Sequence, residues 1–184
     1  MLITTSDSEF HLTKEDYNYN YQKELTKKLD TNNSDFTQEI INEIVLWKIN
    51  RYAKLDDETI ESLENIDKNS NHLNDEITTR ILYKLLKTKG IQIAVASTIL
   101  KFKNPHIYQI IDQRVFRIIY GIKLEKFNSN KSDISITKQI SIYLKYLKDL
   151  RNVCDRLKIK FDQADRVLYQ ADKRLNKKEK LDNY

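Results

Sequence analysis

Hydrophobic positions recur along much of this chain at intervals of three and four residues, the spacing that places side chains on one face of a helix. Segment 36–50 shows the pattern clearly, and Asp35 precedes it as a candidate N-cap. The fold class predicted from this pattern is all-α. The remaining predicted helices are 13–29, 57–66, 74–88, 92–102, 113–120, 136–157 and 163–176.

Residues that start and stop helices divide this pattern at defined points. Asp57, Asn74 and Asp112 stand where an N-cap belongs. Gly90 and Gly121 stand where a helix ends, because glycine accepts the positive φ of a C-terminal turn. The helix after Asn74 is predicted to bury Ile77, Ile81, Leu82, Leu85 and Leu86. Asn104-Pro105 ends helix 92–102, and HIYQII is predicted to run extended into Asp112.

The amino-acid composition agrees with a helical protein and limits the cellular locations expected for it. The 184 residues include 2 glycines and 1 proline, too few for a sheet joined by tight turns. The single cysteine, Cys154, excludes a disulfide or a four-cysteine zinc site within the chain and favours a reducing, cytoplasmic location. The longest apolar stretch, 90–100, is too short to span a bilayer, and the first residues lack a signal-peptide pattern. We expect no membrane association.

Charge is unevenly distributed along the sequence. Residues 1–79 hold 8 basic and 17 acidic side chains, residues 80–126 hold 10 and 2, and residues 127–184 hold 14 and 8. A field of one sign concentrates partners of the opposite sign, so the middle segment is predicted to attract a polyanion. The alternative is a set of solvated helix faces in a lysine-rich composition.

Residues 85–120 carry a more specific signal. Gly90, the helix Ala94–Leu100 and the run Ile111-Asp112-x-Arg114 resemble the helix–hairpin–helix glycosylases of base-excision repair. Over 36–171 the chain is similar to small bacterial proteins of that superfamily, which share the Trp-Lys pair, the helix VASTIL and a terminal Asp-Arg-x-Leu-aromatic run. Here those residues are Trp47, Lys48, Asp165, Arg166, Leu168 and Tyr169. The resemblance implies a DNA-repair fold with duplex DNA as partner.

The predicted hairpin, about 74–103, has a physical reason to bind phosphate. A tight turn that leads into a helix leaves backbone N–H groups unpaired at the positive end of the helix dipole. Gln92 replaces the second glycine of the family's hairpin, which alters the approach of a phosphate to the backbone. An ordinary helix corner is the alternative. The predicted DNA-contacting residues are Lys87, Lys89, Gly90, Gln92, Lys101, Lys103 and Arg114.

Asp112 is the candidate catalytic residue. The resemblance implies that an aspartate at this helix start stabilises the positive charge that develops on the sugar as the base leaves, or helps to activate the nucleophile. The alternative is a helix N-cap worth about 1 kcal/mol. Both roles use the same geometry, so the sequence leaves them open.

Three further features follow from the resemblance. Ala94 stands where bifunctional members carry a nucleophilic lysine, which predicts a monofunctional glycosylase or an inactive binder. Trp47 and Lys48 are candidates for a base pocket, against the alternatives of a core tryptophan and a solvated lysine. No cofactor and no side-chain metal site are predicted; the family precedent for a cation is an alkali ion held by hairpin carbonyls.

The sequence thus predicts an N-terminal extension at 1–33, a helix–hairpin–helix domain at 34–176 and a basic tail at 177–184. The leading functional hypothesis is hydrolysis of the N-glycosidic bond of a damaged or modified base in duplex DNA. A non-catalytic DNA-binding module on the same scaffold is the second hypothesis. The third is a small interaction protein whose acidic 1–79 part docks on the basic half of a partner or a second copy.

Overall fold

The computed structural model describes residues 10, 13, 21–32, 37–49, 52–127 and 131–181. Within these ranges the chain is helical and has no β-strand, which confirms the predicted all-α class. None of the described helices combines the length and the apolar character needed to cross a membrane. The helices are α1 Lys23–Asp30, α2 Gln38–Lys48, α3 Asp57–Glu64, α4 Asp75–Lys87, α5 Ile93–Lys103, α6 Gln113–Tyr120, α7 Asp133–Leu157 and α8 Ala164–Leu175.

Side-chain caps fix where several helices begin. Asn74 accepts the Ile77 N–H, and Asp112 accepts the Arg114 N–H, as predicted. Asp56, rather than the predicted Asp57, caps α3 by accepting the Thr59 N–H. Helix α7 starts at 133 instead of 136, because Ser132 accepts the Ser135 N–H and so provides an earlier cap.

Other predicted boundaries change at the two ends of the chain. Helix α1 begins at 23, and residues 14–20 of the predicted helix 13–29 lie outside the described residues, as does the candidate cap Asp35. Helix α8 begins at 164, after a 3₁₀ turn at 161–163. Gly90 (φ 85°) and Gly121 (φ 69°) both adopt the predicted positive φ.

Contacts between Cα atoms group the chain into two compact units, Met1–Tyr52 and Ala53–Tyr184. The division falls between α2 and α3, later than the boundary at 33/34 expected from the sequence. In the first unit, α1 packs on α2 through Trp47. Its indole N–H donates to Thr26 Oγ1 at 2.8 Å, and its ring meets the edge of Tyr21 at 5.3 Å between centroids.

The core of the second unit lies between α4, α5, α6 and α7. Four of the five predicted inward residues of α4 are buried, whereas Ile77, in the first turn of the helix, is 40% exposed. Tyrosine hydroxyls fasten the segment that leads to α6: Tyr143 donates to Gln109 O at 2.9 Å and Tyr146 to Ile110 O at 2.7 Å. These two bonds from α7 hold the backbone just before Asp112.

Candidate nucleic-acid interface

The turn between α4 and α5, residues 88–92, is anchored by apolar side chains on either side of one exposed polar residue. Gly90 reverses the chain with its positive φ, and the Ile91 N–H donates to Thr88 O at 3.3 Å. Ile91 and Ile93 are buried in the core, and Gln92 between them is exposed. Alternation of this kind fixes the turn against the core and leaves its outer side to solvent.

The N-terminus of α5 has no side-chain cap. Gln92 occupies the N-cap position, yet its side chain makes no capping hydrogen bond. The first backbone bond into the helix is Ala96 N–H to Gln92 O, so the N–H groups of residues 93–95 lack intrahelical acceptors. A helix end of this type favours a nearby anion.

The predicted DNA-contacting lysines occupy different environments. Lys89 is exposed and forms no ion pair with any described residue. Lys87 pairs with Asp133 at 2.6 Å, and this hydrogen bond raises the pKa of Lys87. Lys103 is half-buried and has no carboxylate partner in the described part of the chain. Lys89 is therefore the most available cation of this group next to the turn.

Lys101 does not face the solvent, and its predicted contact with DNA is wrong. Its side chain is 3% exposed, and its ammonium pairs with Asp165 Oδ1 at 2.5 Å. It also donates to Gln109 Oε1 at 2.9 Å and to Asp162 O at 3.2 Å. These three acceptors satisfy the three N–H donors of the ammonium, so Lys101 has no donor left for a phosphate.

A lysine from a distant loop reaches the turn instead. Lys131, just before α7, donates from Nζ to Ile91 O at 2.5 Å. Lys87 Nζ in turn donates to the backbone carbonyl of Lys131 at 3.2 Å. Lys131 was not among the residues predicted from the sequence, because it precedes α7 in a segment with no periodic pattern and contacts the turn across 40 positions.

Asp112 caps α6 and is half-buried. Its Oδ1 accepts the Arg114 N–H at 2.7 Å, and Oδ2 accepts no hydrogen bond from the residues that the structure describes. The structure therefore contains the geometry of the N-cap alternative. Asp112 lines neither of two surface clefts that lie beside α4.

A cleft of about 440 Å³ lies beside the end of α4, and a second of about 520 Å³ lies between α4 and α7. In the first, Lys84 pairs with Glu58 at 2.7 Å. In the second, Lys148 pairs with Asp75 at 2.7 Å. Because each cleft is lined by a lysine paired with an acid of the same cleft, neither presents a purely cationic surface.

Part of the Arg114 guanidinium is turned inward and binds a carboxylate of the protein. Arg114 is therefore not simply an exposed group that contacts phosphate. Its Nη1 lies 3.2 Å from Asp172 Oδ2, and its guanidinium lies 5.6 Å from the Tyr169 ring centroid. Arg117 binds the same carboxylate through two hydrogen bonds of 3.0 and 2.6 Å. The fully buried Asp172 of α8 therefore joins both arginines of α6.

Trp47 and Lys48 belong to the first compact unit, and their predicted role in a base pocket stays a prediction. Trp47 is half-buried and donates its indole N–H to Thr26 within that unit. Lys48 is exposed at the end of α2. No group of three or more histidine, cysteine, aspartate or glutamate side chains in the described ranges is arranged to hold a metal ion.

Comparison of the chain with protein-family models, with curated proteins and with solved structures found no match. The resemblance to helix–hairpin–helix glycosylases thus stays a prediction from the sequence. The surface around the α4–α5 turn is the arrangement with the clearest chemistry: an uncapped helix start, an exposed lysine and two further ammonium groups.

Proposed function

We propose that this protein binds duplex DNA by its sugar-phosphate backbone, and that α4, the α4–α5 turn and α5 act as a helix–hairpin–helix motif. The observation that carries the proposal is the uncapped N-terminus of α5 beside Lys89, whose ammonium has no carboxylate partner among the described residues. Backbone N–H groups and a lysine together bind a phosphate without reading the base sequence.

The charge of the middle segment supports the proposal, though less strongly than a count of residues suggests. Residues 80–126 hold 10 basic and 2 acidic side chains. Three of the basic ones, Lys101, Arg114 and Arg117, pair with acids of α8. We therefore expect few phosphate contacts and a salt dependence that corresponds to a small number of released counterions.

Charge reversal at Lys89 tests the binding proposal. Lys89→Glu places a negative charge at the turn without breaking an ion pair, whereas Lys87→Glu also releases Asp133. We expect Lys89→Glu to weaken binding to a duplex of about 20 base pairs several-fold, for every sequence tested, and to reduce the slope of log K against log salt by about 1. Fluorescence anisotropy at several salt concentrations measures both quantities.

Lys160→Glu is the matched control, because Lys160 is exposed and follows the far end of α7. With 25 residues, α7 is about 37 Å long. The opposite end of α7, where the helix begins, contacts the α4–α5 turn. There Lys131 bonds to the turn and Asp133 pairs with the end of α4. If both variants bind DNA like the wild type, the turn is not the interface. If the wild type binds no DNA, the interaction-protein hypothesis replaces DNA binding.

A glycosylase is the second candidate function, and Asp112 is the observation that favours it. One oxygen caps α6, and the other accepts no hydrogen bond within the described ranges. A carboxylate with a spare oxygen can stabilise positive charge on the sugar while water replaces the base at the anomeric carbon. Because Ala94 supplies no amine, the expected product is an abasic site with no covalent enzyme–DNA adduct.

Asp112→Asn separates capping from catalysis. Asparagine keeps an oxygen that can cap α6, so the free energy of unfolding should change by less than about 1 kcal/mol. Loss of the charge should lower base excision about 100-fold or more. The measurements are urea denaturation and single-turnover excision on duplexes that carry deaminated, alkylated or oxidised bases. A wild-type protein that excises none of these bases, with Asp112→Ala only less stable, would leave the aspartate as a cap.

A further inference from the structure

Lys131 holds an ammonium group directly on a carbonyl of the α4–α5 turn. The distance from its Nζ to Ile91 O is 2.5 Å, and the two residues are 40 positions apart. Gly90, with its positive φ, immediately precedes this carbonyl residue, and the uncapped start of α5 follows it. The loop before α7 thus delivers a positive charge to the backbone of the turn.

This ammonium lacks the carboxylate partner that a half-buried lysine usually has. Among the described residues no acid forms an ion pair with Lys131. The nearest acid in sequence, Asp133, is engaged by Lys87 at 2.6 Å and by the Tyr83 hydroxyl at 2.8 Å. Burial without a counter-charge lowers the pKa of Lys131 below its usual value. A half-buried cation in this situation is stabilised by an external anion.

The resemblance noted from the sequence implies an alkali ion held by hairpin carbonyls at this turn. In this chain the fit is poor, because Ile91 O already accepts a charged hydrogen bond from Lys131. An alkali ion on the same carbonyl would lie against the ammonium and repel it. A hydrogen bond from a charged donor is stronger than one between neutral groups, so an ion that displaced it would have to recover that free energy.

We propose that the Lys131 ammonium supplies the cation of the α4–α5 turn in place of a free alkali ion, and that it binds the DNA phosphate located there. The claim that Lys131 binds a DNA phosphate rests on the proposed function. The claim that Lys131 takes the place of an alkali ion concerns only the turn and applies to the protein without DNA. A cation that is covalently part of the chain makes the turn independent of which monovalent salt is present.

The experiment compares potassium chloride with tetramethylammonium chloride at equal ionic strength, on the wild type, Lys131→Met, Lys131→Arg and Lys160→Met. One readout is the set of backbone amide NMR shifts of Gly90, Ile91 and Gln92 in the free protein. The other is affinity for a DNA duplex, measured by anisotropy. Circular dichroism checks that each variant is folded.

In the wild type we expect the same amide shifts and the same DNA affinity in both salts. Lys131→Met should move the amide shifts of the turn and weaken DNA binding several-fold more than Lys160→Met does. Lys131→Arg keeps a cationic donor, so its DNA affinity should lie within about twofold of that of the wild type. This variant also keeps the test valid if Lys131→Met folds poorly.

Two results would overturn the inference. Potassium-specific shifts of the Gly90 and Ile91 amides in the wild type would show that a free ion binds the turn. Amide shifts and DNA affinity of Lys131→Met equal to those of Lys160→Met would show that the ammonium contributes nothing there. If the wild type binds no DNA, the proposed function fails, while the amide shifts still decide whether Lys131 supplies the cation.

Discussion

Replacing Lys101 by methionine is expected to lower the free energy of unfolding by about 3–5 kcal/mol. Methionine fills much of the same volume but leaves the Asp165 carboxylate, 5% exposed, without its ion-pair partner. A buried charge without a partner is costly, because protein atoms replace water around it and offer no compensating charge. Urea denaturation followed by circular dichroism measures the change.

Two further variants show whether the cost comes from the unpaired carboxylate. Lys103→Met removes a neighbouring lysine that has no ion pair within the described ranges, and it should change stability by about 0.5 kcal/mol or less. Lys101→Met combined with Asp165→Leu removes both charges and should recover most of the loss. A loss below about 1 kcal/mol for Lys101→Met alone would contradict the buried ion pair.

Lys101 also shows which part of the structure was available from the sequence. The helical spacing that predicts α5 could have placed this lysine inward, because it lies four residues after the buried Ser97 and eight after Ile93. Its charge led to the opposite prediction. The partner, Asp165, is 64 positions away, and no local pattern indicates such a pairing.

The helices themselves were predictable for local reasons. Apolar spacing gave the core face of α4, and the caps Asn74 and Asp112 were recognisable as short polar residues before an apolar run. Ser132 was missed because the loop before α7 contains several residues that can cap a helix. Local sequence patterns therefore predicted which helices exist better than they predicted where each helix begins and ends.

The site was less predictable, because pairing across the fold decides which charges face the solvent. Five of the ten basic residues in 80–126 pair with carboxylates that lie outside that segment in the sequence. The separation of charge along the chain therefore reflects contacts within the protein, and the count of basic residues alone overstates the positive charge that faces the solvent. Lys89 remains available, and Lys131 joins it from a loop that the sequence pattern did not mark.

Neutralising Asp172 is expected to have the other large effect on stability. Asp172→Asn removes the charge that binds Arg117 and Arg114, and we expect a loss of about 3 kcal/mol at pH 7. The carboxylate is fully buried, while the two arginine side chains are 11% and 24% exposed, so water offsets only part of the loss. Glu125→Gln, at an exposed pair with Lys138, is the control and should cost less than about 1 kcal/mol.

The pH dependence of this loss identifies the charge as its cause. Burial raises the pKa of Asp172, but hydrogen bonds from Arg117, Asn176 and Arg114 outweigh it and hold the pKa below its usual value. A lowered pKa in the folded state stabilises the protein above the unfolded-state pKa of about 3.9, and this contribution disappears as the pH falls through the folded-state pKa. The difference in stability between wild type and Asp172→Asn should therefore be constant near neutral pH and shrink steadily below about pH 4. A difference that stays the same at pH 3, measured by urea denaturation, would mean that packing at Asp172, and not its charge, holds α8 against α6.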